Sequence, residues 1–238
     1  MNNHEWAENQ LKRWYPQWIG VSKGIDTAFA ESIVSKSRVL DAACGKGLGS
    51  IELSRHRDRI VLVGIDVNAE DVGANPILHL KTAGDVHAMP FASHSFRLVA
   101  SIAAVEHLMA PKKFFQEVFR ILAPGGTFVI MTSNLASLPI LISKLSPLGL
   151  HQWIYRHLYS NQSPTENFPT FYRANTGRML THMLGECRFR NINITYYSFP
   201  QYWATLKITF PIGILYEKVT DIRGLQFLKP HLLRVCTK

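Results

Sequence analysis

Two kinds of apolar pattern alternate along this chain. Short unbroken runs have the length and continuity of strands covered on both faces: Val39-Leu40 before an acid, Ile60 to Ile65 before a second acid, and Thr127 to Thr132. Between them apolar residues recur at helical spacing. Ile25, Ala28, Phe29 and Ile33 precede the first strand, Leu48, Ile51 and Leu53 follow it, and Phe114, Phe115, Val118, Phe119 and Leu122 precede the fifth. Pro111 starts that last helix and Pro124-Gly125-Gly126 stops it. From Asn68 to Leu80 the pattern is weak and broken by Gly73 and Pro76, which predicts a short or irregular helix. Strands and helices in alternation predict an α/β protein with helices on both faces of its sheet.

The end of the first strand carries the chemistry. Arg38-Val39-Leu40-Asp41 runs into Ala42-Ala43-Cys44-Gly45-Lys46-Gly47, a carboxylate followed by a glycine turn that opens a helix. Such a turn lets a ligand lie against bare backbone. A dinucleotide site would show G-x-G-x-x-G and no acid, because the pyrophosphate on that loop repels a carboxylate. Asp41 suits a ligand with an ammonium or sulfonium cation at this point and an adenosine reaching toward the next strand, which describes S-adenosylmethionine. Asp66 ends the second strand 25 positions later, close to the offset of about 20 at which an acid accepts hydrogen bonds from ribose hydroxyls. A third acid, Asp85 in Ala83-Gly84-Asp85-Val86, is placed to accept from the adenine amino group.

From Arg38 to Asn134 the chain resembles the class I S-adenosylmethionine-dependent methyltransferases, in particular their small-molecule branch. The resemblance is carried in order by VLDAACGKG, VGIDVN, AGDVHAMPFASHSFRLVASIAAVEHL and FFQEVFRILAPGGTFVIMTSN. Two departures stand out: Ser95-Phe96-Arg97 where many relatives have Ser-Phe-Asp, and Ala43-Cys44-Gly45 where Gly-Cys-Gly is frequent. Arg97 then falls at the edge of the sheet away from the ligand crevice. The resemblance implies a Rossmann-like seven-stranded, mostly parallel sheet with one antiparallel strand. Asn191 to Phe199 supplies the sixth strand, and Leu232 to Val235 a seventh that inserts antiparallel beside the fifth. It also implies cofactor contacts at Asp41, Ala43, Gly45, Gly47, Asp66, Val67, Asp85, Val86, Ser101 and Ile102, and direct in-line methyl transfer with no metal.

Ligands in such a sheet lie outside the carboxyl ends of the strands. That rule selects Ser101, Ile102, Glu106 and His107 after the fourth strand, and Thr132 to Asn134 after the fifth. His107 has two readings: a general base that takes a proton from the attacking atom, or one half of a Glu-His pair that orients the turn. Cys44 reads as a small residue filling a tight turn, since no histidine is paired with it in sequence. The three cysteines, Cys44, Cys187 and Cys236, are far apart and odd in number, which argues for a reducing, cytoplasmic setting and against a disulfide frame or zinc site.

Length and composition, 238 residues with 47% apolar and 18% charged, agree with one methyltransferase domain. Its expected parts are a helical cap over 1–37, a cofactor core over 38–134, a substrate or lid insertion over 135–190 and terminal strands over 191–238. Met1 to Gln10 is polar and has no secretory apolar run. Trp6, Trp14, Tyr15 and Trp18 mark the cap either as a lid or as an amphipathic helix that packs its rings. Phe171-Tyr172-Arg173-Ala174-Asn175 is either a substrate segment or the lead-in to a helix over Thr176 to Glu186.

Charge is concentrated late in the chain. Residues 134–238 hold twelve Lys and Arg against four Asp and Glu, a balance of +8 in a chain whose net is +9. Two interrupted apolar stretches, Leu135 to Leu150 and Leu206 to Tyr216, lie in the same half and fall short of the roughly 20 residues that span a bilayer. Together they fit peripheral contact with an anionic membrane face or the walls of an apolar substrate pocket. Nucleic acid is disfavoured, because the positives are scattered and the Asn/Asp-Pro-Pro-Tyr signature of base methylation is absent after the fourth strand. The expected acceptor is a small molecule, hydrophobic or lipid-like. Alternatives are a nucleic-acid or protein acceptor, or a non-catalytic adenosyl-binding subunit.

Overall fold

The computed structural model describes residues 3–145, 169–203 and 209–238. Seven strands form one sheet in the order β3-β2-β1-β4-β5-β7-β6. They are β1 Ser37–Ala42, β2 Ile60–Asp66, β3 Leu80–Ala83, β4 Phe96–Ile102, β5 Leu122–Ser133, β6 Arg190–Tyr197 and β7 His231–Thr237. β1 to β5 pair in parallel. β7 is the reversed strand: Lys238 N bonds Gly126 O at one end of β5, and Asn134 N bonds Pro230 O at the other. The expected Rossmann-like sheet with one antiparallel strand is present.

The order places the topological switch between β1 and β4, the two strands from which the chain leaves in opposite directions. A ligand crevice opens outside the strand ends at such a point. Asp41 sits there in the middle of the sheet, in register with Gly64 of β2 and Ala100 of β4. The strands around it are fully buried through Val39, Leu40, Leu62, Ile65, Leu98 and Val99, as their unbroken apolar runs require.

The helices follow the sequence pattern closely. They are α1 Asn3–Trp14, α2 Val21–Ser32, α3 Leu48–Ser54, α4 Ala69–Ala74, α5 Pro111–Ile121, α6 Leu138–Leu145, α7 Gly177–Glu186 and α8 Phe210–Thr220. The weak stretch after β2 does give a short helix, the six-residue α4, whose first turn is held by Asn68 Oδ1 accepting from Glu70 and Asp71 N–H. One expectation changes. Pro124-Gly125-Gly126 does more than stop α5, because β5 already begins at Leu122. Phe96 pairs with Leu122 and Leu98 with Thr127, so these residues form a wide bulge within β5. Gly125 turns it at φ 69°, and Arg97 Nη1 fastens it by donating to Pro124 O at 3.1 Å.

By their internal contacts the residues fall into two compact units. One holds 21–133, 170–195 and 232–238; the other holds 1–20, 134–169 and 196–231. The segment expected as a cap, 1–37, is thus divided between them. In the second unit α1 and the residues after it pack their rings: Leu11 and Tyr15 are buried with Phe210 and Ile214 of α8, and Trp6 and Trp18 lie against them. Trp6 meets Phe210 edge to face at 5.1 Å. The aromatic content of the N-terminal segment is therefore used in packing, with Trp14 left outside.

Beneath α8 lies a polar cluster that no sequence pattern announced. Tyr15 donates to Asp221 Oδ2 at 2.5 Å, Asp221 pairs with Lys229, and Trp18 Nε1 donates to Ser198 O. Glu217 is fully buried beside them and accepts from Phe199 N–H. Burial pushes its carboxyl up to about 7, against the opposing hydrogen bonds from Ser198 and Phe199 and the Lys229 charge. The unfolded value is about 4.3, so the folded chain holds this proton more tightly and loses stability as pH rises from about 4 to 7. His231, pushed down to about 4 by burial, acts oppositely and costs stability as pH falls from about 6.5 toward 4. Replacing Glu217 by Gln isolates the first effect. Between pH 5 and 8 the wild type should lose about 2 kcal/mol relative to Glu217→Gln in chemical denaturation; a pH-independent difference would contradict the assignment.

Candidate active site

Two strand ends turn in the same unusual way. Ala43 after β1 and Ala103 after β4 both have positive φ, 58° and 54°, a conformation that costs a non-glycine residue roughly 1 kcal/mol or more. Each loop stays stitched to the sheet for one more residue, through Cys44 N to Ile65 O at 3.1 Å and Ala103 N to Met131 O at 2.8 Å. The strain is thereby held in place by ladder bonds on either side of the crevice.

The loop after β1 is organised around carboxylates. Asp66 Oδ2 accepts from Gly45 N–H at 2.8 Å and its Oδ1 from Asn68 N–H at 2.9 Å, so the acid at the end of β2 fixes the glycine turn at the end of β1. Gly47 adopts φ 117°, and a Cβ there would meet the Asn75 side chain at 3.1 Å. Asn75 is buried and donates to Ser50 Oγ at 3.0 Å, which in turn donates to Asp41 Oδ2 at 2.6 Å. Gly49 lies over the same carboxylate, where a Cβ would come within 2.8 Å of Asp41 Oδ1. Lys46 bridges Asp71 at 3.4 Å.

Asp41 itself is fully buried, and its Oδ1 has no hydrogen-bond partner in the protein. Burial pushes its carboxyl up to about 6, the nearby Asp66 charge adds to that, and only the Ser50 bond opposes it. The thiol of Cys44 is held well above its ordinary range by burial and then by Asp41 and Asp66. A thiol kept neutral in this way is a poor nucleophile, and Cys44 fills the turn as its neighbours suggest. Asp41 and Asp66 make the base of the loop negative, and its one cation, Lys46, faces Asp71 instead, so a sulfonium or ammonium ligand suits it.

The other expected cofactor residues line the same strand ends. Asp85, after β3, is exposed and accepts at Oδ1 from His87 N–H at 2.8 Å, which with the His87 ring holds its carboxyl below the usual range. Val86 is buried and Val67 is exposed at the end of β2. Ser101 and Ile102 are buried at the end of β4, with Ser101 Oγ lacking a partner and the Ile102 side chain beside Gly49.

Beyond β4 the turn Val105–His107 is braced through Glu106. The buried Glu106 carboxylate accepts from Thr132 Oγ1 at 2.6 Å and Ser133 Oγ at 3.0 Å. Its carbonyl accepts from Phe171 N–H at 2.8 Å and Tyr172 N–H at 3.2 Å, and Asn175 Nδ2 donates to Thr132 Oγ1 at 2.7 Å. The Phe171 to Asn175 segment is therefore clamped to the ends of β4 and β5, with Tyr172 at φ 51°, and it also leads into α7. His107 is half-buried beside this brace. Asn134 instead ties residues 227 and 229 by donating to their carbonyls at 2.7 Å. Sequence reasoning missed Ser50 and Asn75, which touch Asp41 directly or at one remove. The signal was a serine one turn into a glycine-opened helix, too common to stand out alone.

Residues 40–130 match the family described as a methyltransferase domain. A probable S-adenosylmethionine-dependent methyltransferase of Mycolicibacterium smegmatis is 30% identical over 100 residues, 40% of this chain and 38% of that protein. The sterol 24-C-methyltransferase of Aspergillus fumigatus is 28% identical over 137 residues, 53% of this chain and 30% of that protein. The chain thus spans well under half the length of these curated relatives. Among solved structures, geranyl diphosphate C-methyltransferase from Streptomyces coelicolor, with Mg2+, geranyl diphosphate and S-adenosyl-L-homocysteine, has the same fold. Its TM-score is 0.60 at 15% identity, over 91% of this chain and 78% of that one. Through this core the chain is similar to S-adenosylmethionine-dependent methyltransferases, a class whose sulfonium cofactor would suit the carboxylates beneath the loop.

A cation beside Asp41 favours its ionised form, so binding should expel the proton that the carboxyl otherwise holds up to about pH 6. Calorimetry should show affinity for S-adenosylmethionine rising about tenfold from pH 5 to pH 7. Asp41→Asn should flatten that rise; an unchanged slope in the variant would place the titrating group elsewhere.

Proposed function

We propose that this protein transfers a methyl group from S-adenosylmethionine to a small, hydrophobic or lipid-like acceptor. The observation that carries the cofactor half is the buried Asp41 with one unpartnered oxygen beneath the glycine loop. Support for the acceptor half comes from the apolar stretches of the second half of the chain and from the sterol named in one relative's activity.

The cofactor supplies an already activated methyl group, so the protein's task is to hold an acceptor atom about 3 Å away in line with the bond to be broken, and to keep water out. In this reading the loop of Asp41, Ala43, Gly45 and Gly47 takes the charged end of the cofactor. Asp66 and Val67 take the ribose side, Asp85 and Val86 the adenine side, and Ser101 and Ile102 form the floor. Glu106 holds the Phe171 to Asn175 segment against the strand ends, so that it forms part of the acceptor's wall. His107, beside Glu106, receives the proton that an attacking hydroxyl or amine must lose. An apolar acceptor is found in or on lipid, and the basic second half of the chain places the protein peripherally at that surface.

Incubation with methyl-labelled cofactor and fractionated cell extract tests the reading. Label should enter the lipid fraction, whereas label in protein, in nucleic acid or in nothing would overturn it. With the labelled acceptor in hand, His107→Ala should slow turnover by roughly 100-fold while cofactor affinity is kept. A loss under tenfold across pH 6 to 9 would assign His107 to the shape of the turn.

A further inference from the structure

The second unit exposes an apolar face that none of its own described packing uses. α8 is apolar on two sides: Phe210, Gly213 and Ile214 face inward, while Ile212, Leu215, Val219 and the following Ile222 recur every three or four residues on the outside. Leu215 is 64% exposed and Ile212 61%. α6 adds Leu141 and Leu145, the latter 74% exposed. The two helices are joined, since the Leu138 N–H at the start of α6 donates to Tyr216 Oη on α8 at 3.1 Å and Tyr216 donates to Leu228 O. Exposed apolar residues in this number on adjacent helices mark an interaction surface.

Charge around the face selects its partner. Lys144 on α6, Lys218 on α8 and Arg223 just beyond it are exposed. The acids of these segments are already engaged: Glu217 is buried, and Asp221 is paired with Lys229 and Tyr15. A second copy meeting this face about a twofold axis would set like charges against one another. Anionic lipid headgroups complement them, and the outward stripe suits burial at the boundary between headgroups and acyl chains. Among the described residues no helix is long and apolar enough to cross a membrane.

We propose that α6 and α8 together form the surface by which this protein lies on an anionic lipid bilayer, a deepening of the peripheral attachment given above that rests on it but not on methyl transfer. The basic rim draws the protein to the headgroups and the Ile212, Leu215, Ile222 stripe enters the interface. Of the basic positions in and near the two apolar stretches of the sequence, Lys144 is described, while Arg156 and Lys207 lie outside the described residues.

Cosedimentation with phosphatidylglycerol-containing vesicles, without cofactor or acceptor, tests the surface. Wild type should bind these at low salt, bind pure phosphatidylcholine far less, and weaken as the screening length falls from about 10 Å at 0.1 M to 3 Å at 1 M. Lys144→Gln, Lys218→Gln and Arg223→Gln combined should weaken binding roughly 100-fold, about fivefold per charge. Ile212→Ser, Leu215→Ser and Ile222→Ser combined should weaken it at every salt concentration, with the unfolding midpoint kept because the positions are exposed. No wild-type binding would overturn attachment as such. Wild-type binding with both variants unaffected would overturn the assignment of the surface, as would a dimer in solution that the serine variant dissolves.

Discussion

The structure depends on one expensive group, the carboxylate of Asp41, placed in the middle of the sheet with no exposure to water. Taking a charge out of water costs several kcal/mol unless bonds and opposite charge replace the solvent. The fold supplies Ser50 to one oxygen and nothing to the other, and it sets Asp66 near enough to make matters worse. Much around the loop follows from holding this acid. Gly49 must lack a Cβ to pass over it, Asn75 orients Ser50, and small residues at Gly64 and Ala100 flank it in the sheet. A stability-driven design would place an apolar residue here; under the proposed function a ligand brings the positive charge that the fold does not supply.

The two carboxylates share the work unequally. Asp66 spends its oxygens on two backbone N–H groups and so ties β2 to the glycine turn, whereas Asp41 keeps one oxygen unspent. Geometry and field are thus separated between them. After β4, Glu106 is likewise consumed in bracing two strand ends and the Phe171 to Asn175 segment. His107, next to it, is left half-buried. In the second unit Glu217 is buried and Asp221 is engaged by Lys229 and Tyr15, which leaves the outside of α6 and α8 apolar and basic.

The strands and most helices were legible in the sequence because burial on both faces demands unbroken apolar runs, and because Pro, Gly and Asn punctuate them where the chain must turn. Asp41 and Asp66 were legible for the same reason, as charged residues ending runs that tolerate none. The bulge at Pro124 to Gly126 was read only as a helix stop, since one tripeptide satisfies both descriptions and the pairing partner that decides between them lies in β4. Ser50, Asn75 and the cluster of Tyr15, Ser198, Glu217 and Asp221 were not legible. Their partners are 8 to 206 positions away in sequence, and buried polar pairings of this kind follow no periodicity. The aromatic N-terminal segment was legible as something to be packed, but its partners on α8 were not.

The central claim is that the loop after β1 is built for an adenosyl ligand carrying a cation and not for a dinucleotide carrying a pyrophosphate. Titration calorimetry of the purified chain with S-adenosylmethionine, S-adenosylhomocysteine and NAD tests it most directly. The account expects binding of both adenosyl ligands and no heat from NAD. Binding of NAD with no response to either adenosyl ligand would contradict it.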